Sequence, residues 1–142
     1  MPMSDRFFLD SNIILYALDA SDRNRAAVAR RLIAARPVIS TQILGETANV
    51  MLRKLQIPPD KVEAHLRLLE RRCVVTVTAP PHYFRAVALH QRYQFSFWDC
   101  LVIAAALSAA CRILYTEDLQ DNQTLEGRLR LLNPFTSHGP LS

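Results

Sequence analysis

Asp10, Glu46, Asp99 and Asp118 are carboxylates at positions where the surrounding pattern calls for apolar side chains. Asp10 ends the apolar run Phe7-Phe8-Leu9, and Asp118 lies just beyond Ile113-Leu114-Tyr115. Glu46 falls between Ile43 and Val50 on the apolar stripe of an amphipathic stretch. Asp99 leads into Cys100-Leu101-Val102-Ile103-Ala104-Ala105-Ala106, which is apolar on every side of a helix and is therefore expected to be buried. Carboxylates beside an apolar interior lose hydration and repel one another. A divalent metal offsets both effects, and metals held by carboxylates carry out phosphate chemistry.

Each acid also has a plainer explanation. Asp10 is a good helix N-cap after a strand. Asn12, two residues on, is either a turn residue or a hydrogen-bond partner for a neighbouring carboxylate or water. Glu46 can pair with Arg53 on the same side of its helix. Gly45 beside it weakens a helix by roughly 1 kcal/mol relative to Ala, which is explicable if another segment comes close there. Ser96-x-x-Asp99 resembles a capping box, and a helix N-terminus favours an anion. A capped helix start is also a rigid mount for a ligand. Thr116 is placed to hydrogen-bond and orient a ligand carboxylate. Pattern alone leaves Glu117, Asp118 and Asp121 open as the fourth acid, and Asp118 is preferred as the one returning toward the pocket.

The elements that must hold these residues follow from periodicity. Phe7-Phe8-Leu9 reads as a buried strand, and residues 12–18 as a short helix. Arg23 to Ala35 is a helix with Ala26, Val28, Ala29, Leu32 and Ile33 inward, ended by Pro37. Val38-Ile39 is a second strand, and Ser40 or Thr41 caps a helix to about Leu55. Pro58-Pro59-Asp60 opens a fourth helix carrying Val62, Leu66 and Leu69. Cys73 to Val77 is a strand rich in β-branched residues. Pro80-Pro81 begins a helix whose stripe is Phe84, Val87, Ala88 and Gln91. Ser96 caps an apolar helix through Ala110, Ile113-Leu114-Tyr115 is a strand, and Arg130-Leu131-Leu132 is a last edge strand stopped by Pro134. Strands alternating with helices imply an α/β fold: three layers, α/β/α, around a mainly parallel sheet, as one domain over residues 1–142. In such folds ligands bind beyond the carboxyl ends of the strands, where Asp10 and the 116–118 segment fall.

Composition narrows the class. Half of the 142 residues are hydrophobic, enough for a core. No apolar run approaches the roughly 18 residues that span a bilayer. Met1-Pro2-Met3-Ser4-Asp5-Arg6 lacks the pattern of a signal peptide, so a soluble cytoplasmic protein is expected. Cys73, Cys100 and Cys111 show no CxxC spacing, and the four histidines show no HxxxH pattern, which argues against zinc. Lys and Arg number 17 against 13 Asp and Glu, and only Lys54 and Lys61 are lysine. If a metal takes four of those acids, 17 basic residues face nine acids, an excess of +8. An arginine-rich surface around an acidic pocket suits a polyanion.

These pieces together resemble a PIN domain, and most closely the small bacterial toxins of the VapC type. The matching segments are Leu-Asp-Ser-Asn-Ile-Ile-Leu-Tyr (9–16), Ile-Leu-Gly-Glu (43–46), Phe-Trp-Asp-Cys-Leu-Val-Ile-Ala-Ala-Ala (97–106), Leu-Tyr-Thr-Glu-Asp-Leu (114–119) and Leu-Asn-Pro-Phe (132–135). The resemblance implies a ribonuclease dependent on Mg²⁺ or Mn²⁺. It places the metal acids at Asp10, Glu46, Asp99 and Asp118, and the accompanying polar residues at Thr116 and Asn12. It also implies a homodimer blocked by a cognate antitoxin. On this reading Asp10 and Asp99 ligate directly, Glu46 and Asp118 bind a second ion or position water, and Arg23, Arg25 and Arg53 hold the RNA backbone. Two rivals exist. One is a non-catalytic PIN-like module that binds RNA or protein. The other is an aspartyl-phosphate phosphatase or receiver-like domain, which needs a pocket lysine that Lys54 and Lys61, on outer helices, do not supply.

Overall fold

A computed structural model describes residues 6–136. The N-terminal residues weighed above as a leader, 1–5, lie outside that range. Six short strands form one sheet in the order β3-β2-β1-β4-β6-β5. They are β1 (Phe7–Leu9), β2 (Val38–Ser40), β3 (Val74–Thr76), β4 (Ile113–Tyr115), β5 (Thr124–Leu125) and β6 (Leu129–Leu132). All pairings are parallel except β5 with β6. The central strands β1 and β2 are buried throughout, as strands covered on both faces must be.

Six helices cover the sheet: α1 (Ser11–Tyr16), α2 (Arg23–Ala34), α3 (Thr41–Arg53), α4 (Pro59–Arg72), α5 (Pro80–Tyr93) and α6 (Phe97–Ser108). The chain winds from β1 through β2 to β3 in one direction across the sheet, then returns to β4 on the other side of β1. Right-handed crossovers therefore put α1–α4 on one face and α5–α6 on the other, giving the expected three layers. Serine caps start two of the helices that matter most. Ser40 Oγ accepts from Ile43 N at the start of α3, and Ser96 Oγ accepts from Asp99 N at the start of α6. Helix α6 is buried from Cys100 through Leu107, as its apolar circumference requires. All three cysteines are buried and free, and burial pushes each thiol well above its ordinary value.

Three expectations need correction. The stripe expected on α5 faces outward: Phe84 is 73 % exposed and Val87 57 %, with Ala88 and Gln91 also exposed. Ala86 and Leu89 are the buried residues, because the small Ala86 lets α5 lie close on α6 while Leu89 packs into the core. Strand β6 is not an edge, since it lies between β4 and the two-residue β5, which turns back beside it. Cys73 belongs to the C-cap of α4, where its N–H bonds Leu69 O, so β3 starts one residue later, and it stops at Thr76, leaving Val77 exposed outside it.

Candidate metal and phosphodiester site

The order of winding reverses between β1 and β4, and that reversal opens a crevice at their carboxyl ends. Leu9 is in register with Tyr115, which sets Asp10 beside Thr116. Asp10 is only 5 % exposed. Its Oδ1 accepts from Ser11 N (2.8 Å) as the cap of α1, and its Oδ2 accepts from Thr116 Oγ1 (2.8 Å). Thr116 Oγ1 in turn accepts from Asp118 N (3.1 Å). Burial pushes the Asp10 carboxyl up to about 7. The hydrogen bonds from Thr116 and Ser11 oppose that shift, and the charges of Glu46 and Asp118 add to it.

Glu46 reaches the same crevice from the second turn of α3. Its Oε1 accepts from Ser11 Oγ (3.2 Å), and its Oε2 accepts from Gln42 Nε2 (3.1 Å), one helical turn earlier. Gln42 Nε2 also donates to the backbone oxygen of Trp98 (3.2 Å), tying α3 to the start of α6. Asp99, in the first turn of α6, is half-buried. Desolvation raises its carboxyl above the ordinary value, Ser96 opposes this, and the charge of Asp118 adds to it. Asp118 is exposed and acts electrostatically on both Asp10 and Asp99. The four acids thus form one electrostatically connected set: Glu46 with Asp10, Asp10 with Asp118, Asp118 with Asp99.

Among the described residues no Lys, Arg or His makes an ion pair with any of the four. The alternative pairing of Glu46 with Arg53 is therefore not formed. Nor do three of the described His, Cys, Asp or Glu side chains converge tightly enough to grip an ion as they stand. The donor set nevertheless fits a hard divalent cation, being all oxygen, negative and without a cationic partner. Asn12 adds to this, because both polar atoms of its side chain are buried without a hydrogen-bond partner. The expected bond from Asn12 to a neighbouring carboxylate is absent, and Ser11 serves Glu46 instead. Asn12 lines a cleft of about 310 Å³ together with Tyr16, Val50 and Lys54.

The acidic cluster after β4 is parted by its neighbours. Glu117 pairs with Arg25 (3.7 Å), whose guanidinium also lies over the rings of Tyr16 and Phe135 (5.3 Å each). Asp121 accepts from Asn133 N (2.8 Å) and Thr136 Oγ1 (3.3 Å). Asp118 alone of the three acts on Asp10 and Asp99. Arg25 is thus engaged inside the chain, whereas Arg23 and Arg53 are exposed. A Cβ at Gly45 would meet nothing within 4 Å, so no segment of the chain approaches that glycine. Ser11 and Gln42 were missed as supporting residues, although Gln42 stands four residues before Glu46, a spacing visible in the sequence.

The PIN domain family model matches residues 7–122. No curated protein matches the chain. Among solved structures, a toxin–antitoxin complex from Klebsiella pneumoniae is similar at TM-score 0.66 and 22 % identity, over 92 % of this chain and 98 % of that one. Mycobacterium tuberculosis VapC20, a sarcin–ricin loop cleaving toxin, is similar at TM-score 0.63 and 20 % identity, over 79 % and 89 %. DNA-bound VapBC from Salmonella typhimurium is similar at TM-score 0.64 and 19 % identity, over 89 % and 98 %. The structural likenesses establish a shared fold, the family match covers most of the chain, and the chain belongs to the PIN domain family.

Proposed function

We propose that this protein is a divalent-metal-dependent endoribonuclease, the toxin of a toxin–antitoxin pair, acting on single-stranded or loop RNA. The observation that carries this reading is the buried Asp10 carboxylate at the reversal of the sheet, coupled to Glu46 and Asp118 and through Asp118 to Asp99, with no cationic partner for any of the four among the described residues. Asp10, Glu46, Asp99 and Asp118 would hold Mg²⁺ or Mn²⁺, Asp10 and Asp99 most directly. The ion supplies acidified water and neutralises charge on the scissile phosphate. Thr116 and Ser11 N fix the Asp10 carboxylate from both sides, which is the outer support a ligand carboxylate needs. Glu46 is oriented by Ser11 and Gln42, and Asp99 is mounted on a capped, buried helix. Glu46 and Asp118 retain enough exposure to reorient toward an ion. Hydrolysis adds water at phosphorus and releases the 3′ oxygen, leaving a 5′-phosphate and a 3′-hydroxyl.

The neighbours that are toxin–antitoxin complexes support an antitoxin as partner, because the aligned region spans nearly all of those chains. Among the described residues no helix is long and apolar enough to cross a membrane. Self-association into a homodimer belongs to the same proposal. The test is RNA cleavage with Mg²⁺ or Mn²⁺ by wild type, Asp10→Asn and Asp99→Asn, with sequencing of the product ends. Metal-dependent 5′-phosphate ends from the wild type alone support the reading. Equal cleavage by all three proteins overturns it.

A further inference from the structure

We propose that Trp98 is a base-stacking residue that seats the nucleotide beside the scissile phosphate. This deepens the ribonuclease reading and rests on it. Trp98 is 60 % exposed, so its indole contributes little to the core. Its place is specific: it directly precedes Asp99 in the first turn of α6, and Gln42 holds its backbone oxygen while also holding Glu46. The ring is braced. Phe97 meets it edge to face (5.3 Å, 79°), and Phe97 is itself stacked on Tyr83 (6.2 Å, 29°). A flat, braced, solvent-facing aromatic next to a phosphate-cleaving site is what single-stranded RNA uses, because every base has a π-face to stack. The chain's net charge of +4 and pI near 9.3 suit a polyanionic partner. Phe84 and Val87 are also exposed on the neighbouring α5, so a second copy of the chain is the competing occupant.

Trp98 is the only tryptophan, so its emission reports on this one position. The experiment titrates the full chain, in EDTA so that nothing is cut, with unlabelled oligo(A) and oligo(U). Binding is measured in parallel by anisotropy of labelled RNA. The expected result is saturable quenching of Trp98, stronger with oligo(A), because purines stack better. Trp98→Ala weakens RNA binding roughly 5- to 150-fold, whereas Trp98→Phe stays within about 3-fold of wild type. Circular dichroism should show both variants folded, as an exposed site allows. RNA binding unchanged in Trp98→Ala overturns the inference. So does an emission shift that follows protein concentration with no response to RNA, which marks a self-association face. Absence of RNA binding by every protein, with no cleavage by wild type in metal, overturns the ribonuclease reading itself and this inference with it.

Discussion

Asp10→Asn is expected to stabilise the metal-free protein while destroying its function. Asp10 is 5 % exposed, and its carboxyl is pushed from the ordinary 3.8 to about 7. Keeping that group ionised at pH 8 therefore opposes folding by about 4 kcal/mol. Asn carries no charge and keeps both contacts, with the Thr116 bond reversed in direction. Its Oδ1 still accepts from Ser11 N, and its amide nitrogen can donate to Thr116 Oγ1, which already accepts from Asp118 N and has a second lone pair. If water entry and relaxation recover half of the penalty, the variant gains about 2 kcal/mol, or roughly 6 °C in Tm for a chain of this size. The sign depends on pH. Between about 4 and 7 the native state holds a proton that the unfolded state has released, so the wild type loses stability as pH rises through that window. The variant lacks this slope. Its advantage should vanish near pH 4 and be complete by pH 8. Mn²⁺ inverts the order, since at 100 times its Kd it adds about 2.7 kcal/mol to the wild type and little to the variant. Urea unfolding at pH 5 and pH 8, with EDTA and with Mn²⁺, reads all four values. A variant destabilised equally at both pH values would mean that Asp10 is simply a helix cap, and the reasoning would fail.

Other substitutions probe the same geometry. Thr116→Val keeps shape but removes the donor to Asp10, and should cost about 1–3 kcal/mol in urea unfolding at pH 8. Glu117→Gln should change stability by under about 1 kcal/mol and leave cleavage intact, because its pair with Arg25 is partly exposed. Asp118→Asn should abolish cleavage instead, and the reverse result would exchange their roles. Gly45→Ala should raise stability by up to about 1 kcal/mol in thermal melts, because the new methyl meets nothing. On α5, Leu89→Ala should cost about 2–5 kcal/mol, while Phe84→Ser should fall within roughly 0.5 kcal/mol of wild type.

The sequence made the site's frame legible because its central strands are buried on both faces and so read as unbroken apolar runs. Asp10 and Thr116 follow such runs directly, and their adjacency in space is the register of two parallel strands. Helix α6 announced its burial by being apolar all round. What stayed hidden depended on partners far away in the chain. Helix α5 offers two stripes, and hydrophobicity favours Phe84 with Val87, yet close packing on α6 selects Ala86 with Leu89. Strand β5 is two residues long, too short to show any alternation. The pairing of Glu117 with Arg25, and of Asp121 with Asn133 and Thr136, was equally hidden, because local spacing connects none of these partners. The buried amide of Asn12 makes no bond to a neighbouring carboxylate, a matter of side-chain direction that spacing does not encode.

Anomalous diffraction at the manganese edge, from crystals grown with Mn²⁺, locates the cation without reference to activity. One or two peaks in the crevice at the ends of β1 and β4, with Asp10 and Asp99 in contact, is the predicted result. A well-ordered map with that crevice free of manganese at millimolar Mn²⁺, and the carboxylates still apart, would contradict it.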